Sequence, residues 1–70
     1  MADSVVIGTI VYRLDGRRLI QGVARELEKK LENKEMVTYV VVESLTGEHE
    51  YRVLLSDIMS RSEAEAARRS

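Results

Sequence analysis

Two segments of this chain are rich in β-branched residues and apolar on both sides of an extended strand: VVIGTIVY at residues 5–12 and VTYVVV at residues 37–42. Successive side chains of a strand point to opposite faces of a sheet, so both faces of such a sheet need cover. The sequence offers one long amphipathic helix, which covers one face. Because large exposed apolar patches are rare on soluble monomers, we expect the second face to be buried against another copy of the chain.

The length of the chain also favours self-association. Its 70 residues make one domain, and a domain of this size buries only about 60% of the surface that its unfolded chain exposes. There is no cysteine, which excludes disulfides and thiolate metal sites. Oligomerisation is one of the few remaining sources of stability for so small a scaffold.

The hydrophobic period along the first half predicts a strand followed by a helix. A strand over residues 4–14 ends at the turn signal Asp15-Gly16. Over residues 16–33 apolar side chains recur at the three- and four-residue spacing of one helical face. Gly22, inside this segment, indicates close backbone packing. The apolar positions of the predicted helix are Leu19, Ile20, Val23, Ala24, Leu27 and Leu31.

Two further strands are predicted in the second half. Residues 36–44 form the more apolar strand, which we place at the centre of the sheet, and residues 49–59 form the third. The loop between them carries Gly47, which suits a left-handed backbone conformation. The fold class is therefore α+β, a β-α-β-β unit whose three-stranded sheet is covered on one face by one helix. We expect a homodimer through the other face or through a sheet edge.

The last residues form a separate, weaker segment. The predicted domain covers residues 1–59, and residues 60–70 are predicted to be a short, frayed C-terminal helix or tail whose apolar residues are all alanines. Ser60 and Ser62 each stand three residues before a glutamate, Glu63 and Glu65 respectively. Either pair fits a capping box at the start of a helix.

The surface predicted for self-association combines one side of the first strand with residues of the two later strands. Its residues are Val5, Ile7, Val11, Val40, Val42 and Leu54.

Catalytic and metal-binding patterns are nearly absent from the sequence. The one histidine, His49, stands between Glu48 and Glu50. In an extended segment the alternation sends His49 to the face opposite its neighbours, so three ligands do not converge. We therefore predict a protein that is not an enzyme, with no metal and no cofactor. A composite enzyme site at a subunit interface, with His49 in it, is the remaining enzymatic alternative.

The charge balance limits the partners. A formal net charge of −1 gives no overall attraction to nucleic acid or to an anionic membrane. The principal prediction is a small non-enzymatic, self-associating protein-interaction module, such as an adaptor, regulator or inhibitor of a protein partner. The alternative is a nucleic-acid-binding homodimer that uses an arginine patch on backbone phosphates. The arginines in question are Arg13, Arg17, Arg18 and Arg52.

The N-terminus and the tyrosines support two further expectations. The N-terminus has no basic region and no long apolar run, so we expect a cytoplasmic protein without a membrane segment. Tyr12, Tyr39 and Tyr51 fall one to each predicted strand. Such a set either packs in the core or forms a stacking platform on the sheet.

Overall fold

A computed structural model of the chain describes residues 5–69, and its main element is a four-stranded antiparallel sheet in the order β1-β2-β3-β4. A 3-10 turn at Leu55–Asp57 and a C-terminal helix follow the sheet. Residues 1–4 and 70 of the predicted segments lie outside the described residues. The element bounds are β1 Ile10–Asp15, β2 Arg18–Glu32, β3 Glu35–Ser44, β4 Glu50–Leu54 and α1 Arg61–Arg69.

The prediction of a long helix over residues 16–33 is wrong, because most of this segment is the strand β2. The sheet therefore has four strands where three were predicted, and every neighbouring pair is antiparallel. The predicted small α+β class, with a C-terminal helix, holds. The most apolar strand, β3, does lie inside the sheet, paired with β2 on one side and β4 on the other.

Apolar residues spaced four apart do not distinguish a helix from a strand. Residues four apart lie on one face of a helix and also on one face of a strand. In β2 a bulge between Ala24 and Glu26 shifts the register by one residue. Leu27 and Leu31 therefore share the face of Ala24. Without a helix to bury it, Leu31 is 70% exposed in the outer part of the β2–β3 hairpin.

The turns explain how four strands follow one another so closely. Gly16 has a φ of +64° in the two-residue turn between β1 and β2, as Asp15-Gly16 predicts. Asn33 and Lys34, with φ of 49° and 67°, make the two-residue turn between β2 and β3. Positive φ at both positions is the geometry of a type I′ hairpin turn. Gly47 is also left-handed, with a φ of +77°, which confirms the prediction for the third loop.

One face of the sheet carries the core. We call it the core face; it is formed by Val11, Gly22, Ala24, Val40, Val42 and Val53, which the strand register places on one side. Ile58, which comes after the 3-10 turn, packs against this group. The opposite face carries Glu28, Lys30, Tyr39, Val41, Arg52 and Leu54.

After β4 the chain returns to the opposite edge of the sheet, next to β1. The backbone of Met59 exchanges two hydrogen bonds with Tyr12 of β1, at 2.8 and 3.1 Å. Helix α1 then packs next to β1 and β2 and buries Ala64 completely. This return curls the sheet and brings its first strand towards its last. No helix within residues 5–69 is long and apolar enough to span a membrane.

A capping box begins α1, as the sequence predicts. The Glu63 backbone N–H donates to Ser60 Oγ at 3.2 Å, and the Ser60 N–H donates to Glu63 Oε1 at 3.0 Å. These two bonds satisfy backbone donors that the first turn of a helix leaves free. Of the two pairs proposed from the sequence, Ser60 with Glu63 is therefore the one that caps the helix.

Candidate functional site

The candidate site is a cleft of about 360 Å³ where the curled sheet brings β1 close to β4. It holds two arginines, an aromatic ring and a carboxylate beside apolar side chains. Four of its seven lining residues carry charged or polar side-chain groups, a composition that suits a polar ligand. The cleft is lined by Arg13 and Leu14 of β1, Tyr39 of β3, Arg52, Val53 and Leu54 of β4, and Asp57 of the 3-10 turn.

Arg52 is held in place by Glu28 across the sheet. Its Nε donates to Glu28 Oε1 at 2.8 Å and its Nη2 donates to Glu28 Oε2 at 2.9 Å. This bidentate bond lowers the pKa of Glu28 and raises the pKa of Arg52, because each group stabilises the charge of the other. Much of the positive charge of Arg52 is therefore neutralised within the chain.

Tyr39 presents an aromatic ring fixed by two charged neighbours. Its hydroxyl donates to the Glu32 carboxylate, at 2.8 Å to Oε2 and 3.1 Å to Oε1. This hydrogen bond raises the pKa of the Tyr39 phenol. Lys30 Nζ lies 5.6 Å from the centroid of the ring, within cation–π range. The ring is thus held at both its hydroxyl end and one of its faces.

Arg13 is the second guanidinium of the cleft, and it lies on the core face. Its Cζ lies 5.5 Å from the centroid of the Tyr51 ring. The Nε atom is buried and has no hydrogen-bond partner among the residues that the structure describes. An unpaired buried donor is unusual in a folded protein. Arg13 therefore differs from Arg52, whose Nε is satisfied.

The structure brings together two of the four arginines predicted to form a patch. Arg13 and Arg52 line the same cleft. Arg17 lies in the β1–β2 turn and Arg18 begins β2, both exposed and outside the lining of the cleft. The continuous basic patch that phosphate binding requires is therefore not formed by these four residues within one chain.

The residues predicted for self-association do not form one exposed surface. Val11, Val40 and Val42 are buried in the core of the chain itself, and Val5 packs against that core. Ile7 is 49% exposed and Leu54 lines the cleft. Burial of the core face by the chain's own C-terminal segment removes the reason for covering it with a second copy, and self-association itself stays a prediction.

His49 lies in the loop before β4 and takes no part in the cleft. Its backbone is fixed to Ser44, whose N–H donates to the His49 carbonyl at 2.8 Å. Within residues 5–69 there is no group of three or more acidic, histidine or cysteine side chains placed to hold a metal ion.

Sequence reasoning missed the pairing of Glu28 with Arg52. On a helix, Glu28 belongs to a mixed-charge outer face, whereas on β2 it lies two strands away from Arg52 in the same sheet. The signal that could have revealed the hairpin is Asn33, a residue favoured in type I′ turns, between two segments of similar length. Asp57, in the 3-10 turn, also lines the cleft and was not among the predicted site residues.

Comparison with protein families gives one match: residues 21–70 match the SPOR domain. The matched segment begins within β2 and includes Tyr39, Arg52 and Asp57, but not Arg13 or Leu14. SPOR domains are non-enzymatic binding modules, and their ligand is peptidoglycan. The comparisons with curated proteins and with solved structures gave no match.

Proposed function

Because this chain belongs to the SPOR domain family, we propose that it is a peptidoglycan-binding module whose ligand occupies the cleft between β1 and β4. The observation that carries the proposal is the family match over residues 21–70, which covers most of the chain and most of the residues that line the cleft. Binding by such a module requires a fixed surface and no catalytic group.

The chemistry of the cleft suits a polar, partly apolar chain such as a glycan. A sugar ring presents hydroxyl groups at its rim and C–H groups on its faces, so it pairs with an aromatic side chain and with charged hydrogen-bonding groups. Tyr39 supplies the ring, Asp57 an acceptor, and the two arginines supply donors. A volume of about 360 Å³ is at the low end for ligand pockets. The cleft would therefore hold a short segment of the polymer.

The pre-formed contacts also support binding. Tyr39 is fixed by Glu32 and Lys30, and Arg52 by Glu28. Side chains already held in one arrangement lose little entropy when a ligand binds. The site therefore does not need to fold around its ligand.

The proposed ligand replaces both partner classes expected from the sequence. Peptidoglycan, and neither a protein nor a nucleic acid, is the ligand of this family. A peptidoglycan ligand also implies that the module acts where the cell wall is, whereas the N-terminal sequence predicts a cytoplasmic protein. Cell fractionation with an antibody against the chain distinguishes these two locations.

Co-sedimentation with purified peptidoglycan sacculi tests the proposed function. We expect the wild-type chain to pellet with sacculi, and the Tyr39→Ala variant to lose most of this binding because the ring that faces the sugar is removed. Leu45→Ala, an exposed change in the β3–β4 loop outside the cleft, serves as the matched control. A wild-type chain that stays in the supernatant at low and at high salt would overturn the proposal.

A further inference from the structure

The two arginines of the cleft are in different states. The Nε and Nη2 of Arg52 together bind the two oxygens of Glu28, at 2.8 and 2.9 Å. The equivalent edge of Arg13 has a buried Nε without a hydrogen-bond partner within residues 5–69. One guanidinium is thus satisfied by a carboxylate of the chain, and the other lacks such an acceptor.

On the core face Arg13 packs against an aromatic ring. Its guanidinium lies next to the ring of Tyr51, at 5.5 Å from Cζ to the ring centroid. The hydroxyl of Tyr51 in turn lies over Gly22, 3.3 Å from the point where a Cβ would stand. The absence of a side chain at Gly22 therefore leaves room for Tyr51, and Tyr51 supports Arg13. An arginine held against an aromatic ring keeps its donors available for a planar anion.

We propose that Arg13 binds a carboxylate of the ligand in this cleft, an inference that rests on the proposed function. A carboxylate offers two acceptors in the spacing of the guanidinium edge, as Glu28 does for Arg52. Arg13 lines the cleft, so a carboxylate bound there lies near its guanidinium. The bidentate contact requires the side chain to turn its buried Nε edge towards the cleft when the ligand binds. Arg13 lies on β1, outside the segment that matches the family.

The charged residues that share the cleft with Arg13 provide a second test of the proposal. Asp57 lines the same cleft, and its negative charge opposes the entry of an anion, whereas Arg52 is already paired with Glu28. Asp57→Asn removes this charge and keeps an oxygen that can accept a hydrogen bond from a sugar hydroxyl. Removing the charge of Arg13 should weaken the binding of a carboxylate, and removing the charge of Asp57 should strengthen it. A purely structural role of Arg13 predicts neither the second effect nor any dependence on the charge of the ligand.

Peptidoglycan has carboxylates in two places. Stem peptides carry them in their side chains and at their ends, and the lactyl groups of the glycan carry them once the peptides have been removed. The shared chemistry is a carboxylate on a saccharide polymer. Binding to sacculi that keep their peptides is compared with binding to glycan strands from which an amidase has removed the peptides. This comparison distinguishes the two sources.

The experiment measures the affinity of the wild-type chain for native sacculi and for sacculi whose carboxylates have been amidated with carbodiimide. Amidation should weaken wild-type binding about tenfold or more, as expected for the loss of a charge-assisted bidentate hydrogen bond. Arg13→Gln should bind native sacculi as weakly as the wild type binds amidated ones, and Asp57→Asn should bind native sacculi more tightly. Arg17→Gln, an exposed arginine outside the cleft, is the matched control.

The outcomes separate this inference from the proposed function. If the wild type binds native and amidated sacculi equally well, the carboxylate contact is wrong and peptidoglycan binding stands. If the wild type binds neither kind of sacculus, the proposed function is wrong, and the inference that rests on it is wrong as well. The comparison of the two sacculi needs only the wild-type chain, so it decides the inference even if Arg13→Gln does not fold.

Discussion

Gly22 lies so close to Val42 that a Cβ at position 22 would stand 2.5 Å from Val42 Cγ1 and 2.8 Å from the Glu43 carbonyl oxygen. Such separations are shorter than van der Waals contact, and the second involves backbone of β3 that cannot move alone. Gly22→Ala should therefore destabilise the chain by about 1–3 kcal/mol, the usual effect of overpacking a core. Urea unfolding followed by circular dichroism measures the change.

The neighbouring residue provides the control for Gly22. Gln21→Ala changes an exposed side chain of the same strand and should shift the unfolding free energy by less than about 0.5 kcal/mol. Alanine is otherwise better tolerated than glycine in a strand. A Gly22→Ala variant as stable as the wild type would mean that β2 and β3 do not approach as described.

A lysine at position 11 and a lysine at position 7 should behave differently. Val11 is buried in the core, so Val11→Lys places a charge without a partner inside the chain and should cost several kcal/mol. Ile7 is 49% exposed, and Ile7→Lys should remain folded. Thermal unfolding shows the first effect. Light scattering shows whether Ile7→Lys lowers the mass, as the prediction of self-association through this residue requires.

The capping box predicts a local effect at the start of α1. Ser60→Ala removes the acceptor of the Glu63 N–H and should destabilise the helix by about 1 kcal/mol. Hydrogen exchange at the amides of the first helical turn should become faster. Ser62→Ala leaves the two bonds between Ser60 and Glu63 in place and should have the smaller effect. Equal exchange in the two variants would contradict the assignment of Ser60 as the cap.

The pair of Glu28 and Arg52 predicts a loss of stability in acid. In the folded chain the pKa of Glu28 is lowered from its ordinary 4.5, chiefly by the hydrogen bond from Arg52. A lowered pKa stabilises the folded state above about pH 4.5, and this contribution is lost as the pH falls through the folded value. Unfolding midpoints measured between pH 7 and pH 3 should therefore decline less in Glu28→Gln than in the wild type.

A second carboxylate variant controls for the general effect of acid. Glu48→Gln changes an exposed residue of the β3–β4 loop, outside the pair with Arg52. It should follow the pH dependence of the wild type. If Glu28→Gln and Glu48→Gln show the same dependence, the pair contributes nothing measurable, as many exposed ion pairs do.

Local signals in the sequence are sufficient for β3, for the later part of the first predicted strand, for the turn at Asp15-Gly16, for the left-handed Gly47 and for a serine cap before α1. They do not show that β1 begins only at Ile10, or which of the two serines is the cap. Each signal depends on residues close together in the chain: a run of β-branched side chains, a glycine free to adopt positive φ, or a serine three residues before a glutamate. These features were predictable because their energies do not depend on which distant segment packs against them.

The conformation of residues 18–32 was decided by tertiary structure. Leucines four residues apart satisfy a helix and a strand equally, so the choice depends on whether other strands pair with this backbone. β1 pairs with its first part and β3 with the rest, and Gly22 lets β2 lie close to β3. The cleft has the same origin. Arg13 and Arg52 are 39 positions apart along the chain, and only the curl of the sheet, closed by the bonds between Tyr12 and Met59, brings them to one site.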